Sequence, residues 1–222
     1  MKRIIFWSVF VIVLALIIVG LVFAMNKDTS IKLPSPPPVD SNDHIIGNIS
    51  APVTIIEYSD FQCPACGMYF PVLEKLLSEA STTVRLVYRH YPLPQHQNAL
   101  PMTFASEAAS KKDKFNEMYR LIFENQSDWA ESKTPEVFIE KYVNEIGLDP
   151  VAFMNDYNLV KSEFDRERDA TSTDLVASKI VKDMLSGNKI GILGTPTFFV
   201  NGKYIENPQG YEAFYKIIQN AK

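Results

Sequence analysis

Residues 52–66 read PVTIIEYSDFQCPAC, and this stretch passes from a strand through a turn into the start of a helix. Residues 52–58 are rich in β-branched side chains, which predicts a strand that is buried on both faces. Pro64 suits the first turn of a helix, where its missing N–H would have no partner inside the helix. The helix is predicted to continue over 64–80, because apolar residues recur there on one face.

Downstream of this helix the pattern returns briefly to a strand and then becomes helical over a long stretch. Residues 83–88 predict a second strand, which forms a β-α-β unit with the first. From 97 to 187 apolar residues recur at helical spacing almost throughout. The candidate helices are 98–111, 114–125, 135–146, 150–155 and 159–186, the last either continuous or broken.

The C-terminal part of the chain predicts a hairpin and one closing helix. Residues 197–200 and 203–205 flank Asn201-Gly202, which is the strongest short sequence signal for a β-hairpin. Residues 209–220 predict the last helix. The order β-α-β, helical insertion, β-β-α therefore indicates an α/β domain.

The chain contains two cysteines, Cys63 and Cys66, three positions apart. A secreted scaffold held by disulfides would have more cysteines at wider spacing, so this pair calls for a chemical explanation. A Cys-x-x-Cys motif forms a redox pair or half of a zinc site, and an inert buried pair is a further alternative. The histidines are His44, His90 and His96. No second cysteine pair exists to complete a zinc site, and we expect no metal.

The position of the cysteine pair favours redox chemistry. Cys63 falls at the predicted N-terminus of a helix, where unpaired N–H groups and the helix dipole favour a thiolate. Cys66 lies one turn further on and can reach back to close a disulfide. A second proline signal, Thr195-Pro196, comes immediately before the first strand of the hairpin.

Three segments resemble the DsbA-like thiol:disulfide oxidoreductases of the thioredoxin superfamily. They are EYSDFQCPAC at 57–66, RHYPLP at 89–94 and GTPTFFVNG at 194–202. The resemblance extends over residues 45–222 and includes the position of the helical insertion. It implies a thioredoxin-like fold with a helical insertion, and a protein thiol:disulfide oxidoreductase as the enzyme class.

The resemblance also implies roles for three residues at the redox centre. Cys63 would be the exposed attacking thiol, and Cys66 the thiol that resolves the mixed disulfide. Glu57 matches an acidic residue of the family beneath the active site, with an implied role in proton handling at Cys66. A salt-bridged or solvent-facing strand residue is the alternative for Glu57.

The expected substrate-binding residues are Pro64, Ala65, Thr195 and Pro196. The resemblance implies a cis peptide bond between Thr195 and Pro196, whose backbone would face the disulfide and pair with an extended substrate. Cis peptide bonds are essentially confined to proline and occur at tight turns. Ala65 departs from the family pattern, because the best-known oxidants carry histidine at this position. A less stabilised thiolate makes a less oxidising disulfide, so the direction of electron flow stays open.

The N-terminus carries a long uncharged segment. Residues 4–25 contain no charged side chain, and as a helix they would span about 33 Å, enough for the hydrocarbon core of a bilayer. Lys2 and Arg3 precede the segment and would remain in the cytoplasm. We expect a signal anchor that leaves the C-terminal domain outside the cell membrane. A cleaved signal peptide ending near Ala24 and a buried core helix are the alternatives.

These features divide the chain into three predicted parts. Residues 1–25 form the membrane anchor or signal peptide. Residues 26–43 are polar and rich in proline, which predicts a stiff spacer, with an arm packed on the domain as the alternative. Residues 44–222 form the thioredoxin-like domain, with its helical insertion at about 97–187.

Charge and motif together define the functional hypotheses. The net charge is −4 and no run of basic residues occurs, which argues against nucleic acid as a partner. The leading hypothesis is an oxidase that donates its disulfide to exported proteins and is reoxidised by a quinone-linked membrane partner. It needs no bound cofactor, because the sulfur pair carries the two electrons. The alternatives are an anchored reductase or isomerase, and a non-catalytic peptide-binding module.

Overall fold

The computed structural model describes residues 2–25, 32–168 and 178–221, and within 2–25 it describes side chains only at 7, 8, 10 and 12–21. The chain divides into two units, Met1–Lys32 and Leu33–Lys222. The first unit contains helix α1, Lys2–Met25. As far as the chain is described, none of its helices combines the length and the hydrophobicity of a membrane span.

The second unit alternates strands and helices. The strands are β1 (His44–Gly47), β2 (Val53–Ser59), β3 (Val84–His90), β4 (Thr197–Val200) and β5 (Lys203–Ile205). The helices are α2 (Pro64–Glu79), α3 (Ala99–Ser110), α4 (Phe115–Glu124), α5 (Gln126–Trp129), α6 (Glu136–Glu145), α7 (Pro150–Glu167), α8 (Lys179–Ile190) and α9 (Gly210–Asn220). From β2 onward, this order agrees with the β-α-β, insertion, β-β-α pattern predicted from the sequence.

In the part of the chain that the structure describes, five strands form one sheet in the order β1-β3-β2-β4-β5. The central pair, β2 and β3, is parallel, and the β2–β4, β4–β5 and β1–β3 pairs are antiparallel. Asn201 and Gly202 have φ values of 47° and 78°, as the predicted hairpin turn requires. The edge strand β1 was not predicted, because four residues are too few to show a strand period.

The helical insertion follows the predicted pattern with two differences. Helix α7 begins at Pro150, with the Asp149 carboxylate accepting a hydrogen bond from the Ala152 N–H at 2.7 Å, and runs on to Glu167. It therefore joins two segments that were predicted as separate helices. Part of the predicted 159–186 helix, residues 169–177, lies outside the described residues. The one-turn helix α5 was not predicted.

The two faces of the sheet pack against different parts of the domain. Successive side chains of β2 point to opposite faces, so neighbouring residues of this strand lie in different cores. Ile55 packs in the large core that also holds α2, the insertion helices and α9. Ile56 and Tyr58 point to the opposite face, where Ile190 and Ile192 cover them. Because side chains alternate along a strand, Glu57 points to the same face as Ile55 and so lies beneath α2.

The proline-rich segment is bound to the domain from Leu33 onward. Pro36 is buried, and the Arg89 guanidinium donates hydrogen bonds to the carbonyl oxygens of Pro37 (3.0 Å) and Pro38 (3.3 Å). The same guanidinium pairs with the buried Asp43 carboxylate at 2.9 Å. Residues 33–43 therefore have the packed conformation that was the alternative to a free spacer, while 26–31 lie outside the described residues.

Candidate active site

Cys63 lies at the junction between the turn after β2 and the start of α2. It is the N-cap residue of α2, with extended backbone angles (φ −65°, ψ 120°), and Pro64 follows as the first helical residue. The side chain of Cys63 makes no capping hydrogen bond of normal geometry, but the N–H groups of Ala65 and Cys66 in the first turn are near enough to stabilise a negative charge on its sulfur. The Sγ atom lies 3.3 Å from the carbonyl oxygen of Thr195, to which the thiol donates.

The two cysteines are unbonded to each other in the structure, and they differ in their access to solvent. Cys63 is 6% exposed and Cys66 is 1% exposed. The attacking sulfur is thus less open than the resemblance implied, since the neighbouring Thr195-Pro196 loop covers it. Pro64 is exposed and Ala65 is half-buried, so the rim of the site remains open around Cys63.

The two thiols have opposite acidities because of their surroundings. Hydrogen bonding with the Cys66 thiol lowers the pKa of Cys63 to about 5, with smaller contributions from the Thr195 side chain and from the backbone N–H groups of Cys66 and Ala65, although burial opposes the shift. Burial raises the pKa of Cys66 well above its usual value, and the neighbouring Cys63 and Glu57 add to the shift. The geometry therefore stabilises a thiolate at Cys63 and a protonated thiol at Cys66.

The peptide bond between Thr195 and Pro196 is cis, the geometry that the resemblance implied. Asn207 donates a hydrogen bond to the Pro196 carbonyl at 3.1 Å, and Thr197 donates to the Gly194 carbonyl at 2.7 Å. These bonds hold the loop that faces Cys63. The substrate-binding role assigned to Thr195, Pro196, Pro64 and Ala65 remains a prediction.

Glu57 is 1% exposed and lies in the core beneath α2. Ser59 donates a hydrogen bond to Glu57 Oε1 at 2.8 Å, while Oε2 is buried without a hydrogen-bond partner among the described residues. Burial raises the pKa of Glu57 to about 8. The carboxyl group is therefore neither solvent-facing nor salt-bridged within the described chain, and it can hold a proton near neutral pH.

The turn before Cys63 contains an acidic residue whose role the sequence did not indicate. The buried Asp60 accepts hydrogen bonds from the Gln62 N–H (2.7 Å), the Leu93 N–H (2.8 Å) and the His96 ring (2.6 Å). Asp60 thus ties the active-site turn to the segment after β3. An aspartate side chain that accepts a hydrogen bond from the backbone N–H two residues later is a recurrent feature of turns. This pattern could have indicated the role of Asp60 from the sequence.

The other two histidines meet a single carboxylate on α3. His44 and His90 both place Nε2 within hydrogen-bond distance of Glu107 Oε1, at 2.7 Å for His90. These three side chains have donor atoms within 4.8 Å of one another, the chemistry of a metal site. In the structure they form a hydrogen-bonded group, and neither cysteine belongs to it.

Comparison with known proteins supports the assignment of the fold. A family model described as thioredoxin matches residues 40–220. The structure of BdbD from Bacillus subtilis, in its oxidised form, aligns with a TM-score of 0.69 at 22% identity, covering 86% of this chain and 98% of that one. The structure of α-DsbA1 from Wolbachia pipientis aligns with a TM-score of 0.63 at 21% identity, covering 83% of this chain and 92% of that one.

Curated relatives are longer proteins. The Na(+)/H(+) antiporter NhaA 3 of Salinispora tropica is 33% identical over 186 residues, which are 83% of this chain and 26% of that protein. The Na(+)/H(+) antiporter NhaA 1 of Salinispora arenicola is 32% identical over 186 residues, with the same coverage. The chain thus spans about a quarter of the length of these relatives. The antiporter name describes those longer proteins.

The family match, the sheet order and the cysteine pair at the start of α2 agree with one another. They confirm the resemblance to DsbA-like proteins and the α/β fold with a helical insertion, and they support the predicted enzyme class. This chain belongs to the thioredoxin family, and its fold is that of the DsbA-like members.

Proposed function

We propose that this protein is an extracytoplasmic thiol–disulfide oxidoreductase that introduces disulfides into exported proteins. The observation that carries the proposal is the placement of the two sulfurs. Cys63 caps the N-terminus of α2 beside the Thr195-Pro196 loop, whereas Cys66 is buried one turn further on, which lowers the pKa of Cys63 and raises that of Cys66. A sulfur whose thiolate is stabilised is a good leaving group, and its partner keeps its proton in the core.

The reaction starts from the Cys63–Cys66 disulfide. A substrate thiolate attacks Sγ of Cys63, a new S–S bond forms, the Cys63–Cys66 bond breaks, and Cys66 leaves with the electron pair. Glu57 lies beneath Cys66 with a raised pKa and can supply the proton that neutralises this leaving thiolate.

A second substrate thiolate then resolves the mixed disulfide. It attacks the substrate sulfur, the substrate disulfide forms, and Cys63 leaves as a thiolate that the Cys66 thiol and helix N–H groups stabilise. The substrate has lost two electrons and the enzyme has gained them. We include in the proposal a membrane partner, linked to the quinone pool, that reoxidises the enzyme.

The direction of electron flow follows from the stability of the reduced form. Stabilising the thiolate makes the disulfide more oxidising. Cys63 has this stabilisation although Ala65 stands where the strongest oxidants have histidine, because the Cys66 thiol, Thr195 and two backbone N–H groups supply it. This supports the oxidase over the reductase or isomerase.

The reduction potential of the Cys63–Cys66 pair tests the proposed direction. We expect a value above about −150 mV, in the range of strong oxidants, when the protein is equilibrated with glutathione and the thiols are then trapped. A value near that of thioredoxin, about −270 mV, would favour the anchored reductase or isomerase instead. Full function after replacement of both cysteines would favour the peptide-binding module.

We also propose that residues 4–25 anchor the protein in the cell membrane, with the C-terminal domain outside. The uncharged run of residues and the preceding Lys2 and Arg3 support this topology. We expect the full chain to stay in the membrane pellet after an alkaline carbonate wash, and its domain to be accessible to protease from outside the cell. Release of an intact, shortened protein into the soluble fraction would indicate a cleaved signal peptide.

A further inference from the structure

A glutamine from the helical insertion holds the active-site turn. Gln126 begins α5, and its side-chain amide donates hydrogen bonds to the carbonyl oxygens of Phe61 (2.6 Å) and Cys63 (2.9 Å). One amide group therefore joins the turn before the nucleophile to the nucleophile itself. The Cys63 carbonyl also accepts the N–H of Gly67 at 3.1 Å, the first hydrogen bond of α2.

The Gln126 amide also lies directly against Gly67 in the first turn of α2. A Cβ atom added to Gly67 would fall 2.1 Å from Gln126 Oε1. Such an approach is possible only for glycine, so a methyl group at position 67 must push the amide away from the turn. The hydrogen bonds from Gln126 to the turn can therefore be removed in two independent ways. One replaces the glutamine itself, and the other places a methyl group at position 67 that displaces its amide.

Buried and hydrogen-bonded neighbours hold Gln126 in place. Trp129, at the other end of α5, is fully buried, and its ring N–H donates to the Ile122 carbonyl at 2.8 Å. Gln62 donates to the Ala130 carbonyl at 2.6 Å, so the residue before Cys63 also binds the insertion. Asn98 completes the connection by donating to the Gln62 side chain (2.6 Å) through its N–H.

These contacts bear on the reactivity of Cys63. The sulfur is stabilised by the N–H groups of the α2 N-terminus and by Thr195, and all of these interactions depend on where the turn places Sγ. The amide of Gln126 also offsets the negative ends of two carbonyl groups next to the sulfur. We propose that Gln126 is a positioning residue for thiol–disulfide exchange, through which the helical insertion sets the reactivity of the redox pair. This inference rests on the proposed function.

The test replaces the amide without removing its volume. In Gln126→Met, made in the full chain, we expect the Cys63 thiolate of the reduced protein to form at a pH about one unit higher than in the parent. The thiolate absorbance near 240 nm, followed against pH, gives this midpoint. We also expect its disulfide to become about tenfold less oxidising against glutathione, because two hydrogen bonds to the turn are lost. Asn144→Ala removes an exposed side-chain hydrogen bond on α6 and should change neither quantity.

A second variant separates positioning from a general loss of structure. Gly67→Ala keeps the glutamine but displaces its amide, and we expect a shift in the same direction. The double variant Gly67→Ala/Gln126→Met should shift no further than the larger single change, because both act on one contact. If Gln126→Met fails to fold, the shift measured for Gly67→Ala alone tests the inference.

Two results would overturn the inference, and they differ from a failure of the proposed function. The inference is wrong if the ionisation constant of Cys63 and the equilibrium constant with glutathione both stay, in the variants, within about twofold of the parent values. It is also wrong if the two single shifts add fully in the double variant. A parent protein whose Cys63 ionises like an ordinary cysteine would instead remove the basis of the proposed function, and of this inference with it.

Discussion

Cys63→Ser is expected to abolish disulfide transfer to a reduced, unfolded substrate protein. A serine hydroxyl cannot form the mixed disulfide, and Cys66 cannot replace Cys63, because it is 1% exposed and its pKa is raised by burial. The rate should fall to the uncatalysed background, a loss of roughly a thousandfold or more. The measurement is the recovery of substrate activity that depends on its disulfides.

Cys66→Ser should have a different outcome, which identifies the attacking sulfur. Cys63 remains reactive but has no internal partner, so mixed disulfides with substrates should accumulate and be visible on non-reducing gels. Cys63→Ser/Cys66→Ser provides the matched control and should form none. If Cys66→Ser yields no adducts while Cys63→Ser does, the order of attack assigned to the two sulfurs is reversed.

Glu57→Gln should change how the stability of the domain depends on pH. The folded-state pKa of Glu57 is about 8, against 4.5 for the ordinary side chain. Between these values the unfolded chain loses the proton and the folded chain keeps it, so the parent protein loses stability as pH rises. Glutamine does not titrate, and the stability of the variant relative to the parent should therefore rise by about 4–5 kcal/mol from pH 4 to pH 9.

Urea unfolding of both proteins across this pH range measures the difference, in which the contributions of groups that do not interact with Glu57 cancel. Glu140→Gln, which alters an exposed carboxylate on α6, serves as the control and should track the parent. A difference between Glu57→Gln and the parent that stays constant with pH would mean that Glu57 ionises like a surface carboxylate. Its proposed part in proton transfer to Cys66 would then be wrong.

Much of the redox centre could be predicted from the sequence, because local rules determine it. The strand-turn-helix pattern around Cys63 and the proline at the first helical position were enough to place the sulfur at the helix N-terminus. The Asn201-Gly202 signal fixed the hairpin that follows Pro196. Each of these features depends on neighbours only a few residues away.

Features that depend on distant residues were missed. Nothing distinguishes Gln126 from any other glutamine after a helix, and its role appears only when α5 packs beside the turn at Phe61. The restricted access to Cys63 likewise arises from a loop 132 residues away in the chain. The binding of residues 33–43 depends on Arg89, whose partners could not be inferred from composition.

The sheet ends on both sides in very short strands, β1 with four residues and β5 with three. An enzyme that handles incompletely folded chains repeatedly meets extended apolar segments that can add to a free edge. Edges of this length offer few backbone groups as a template, and the exposed Lys203 adds charge to one of them. Under the proposed function, substrate chains would therefore find few groups to pair with along the sheet edges, and aggregation there is discouraged.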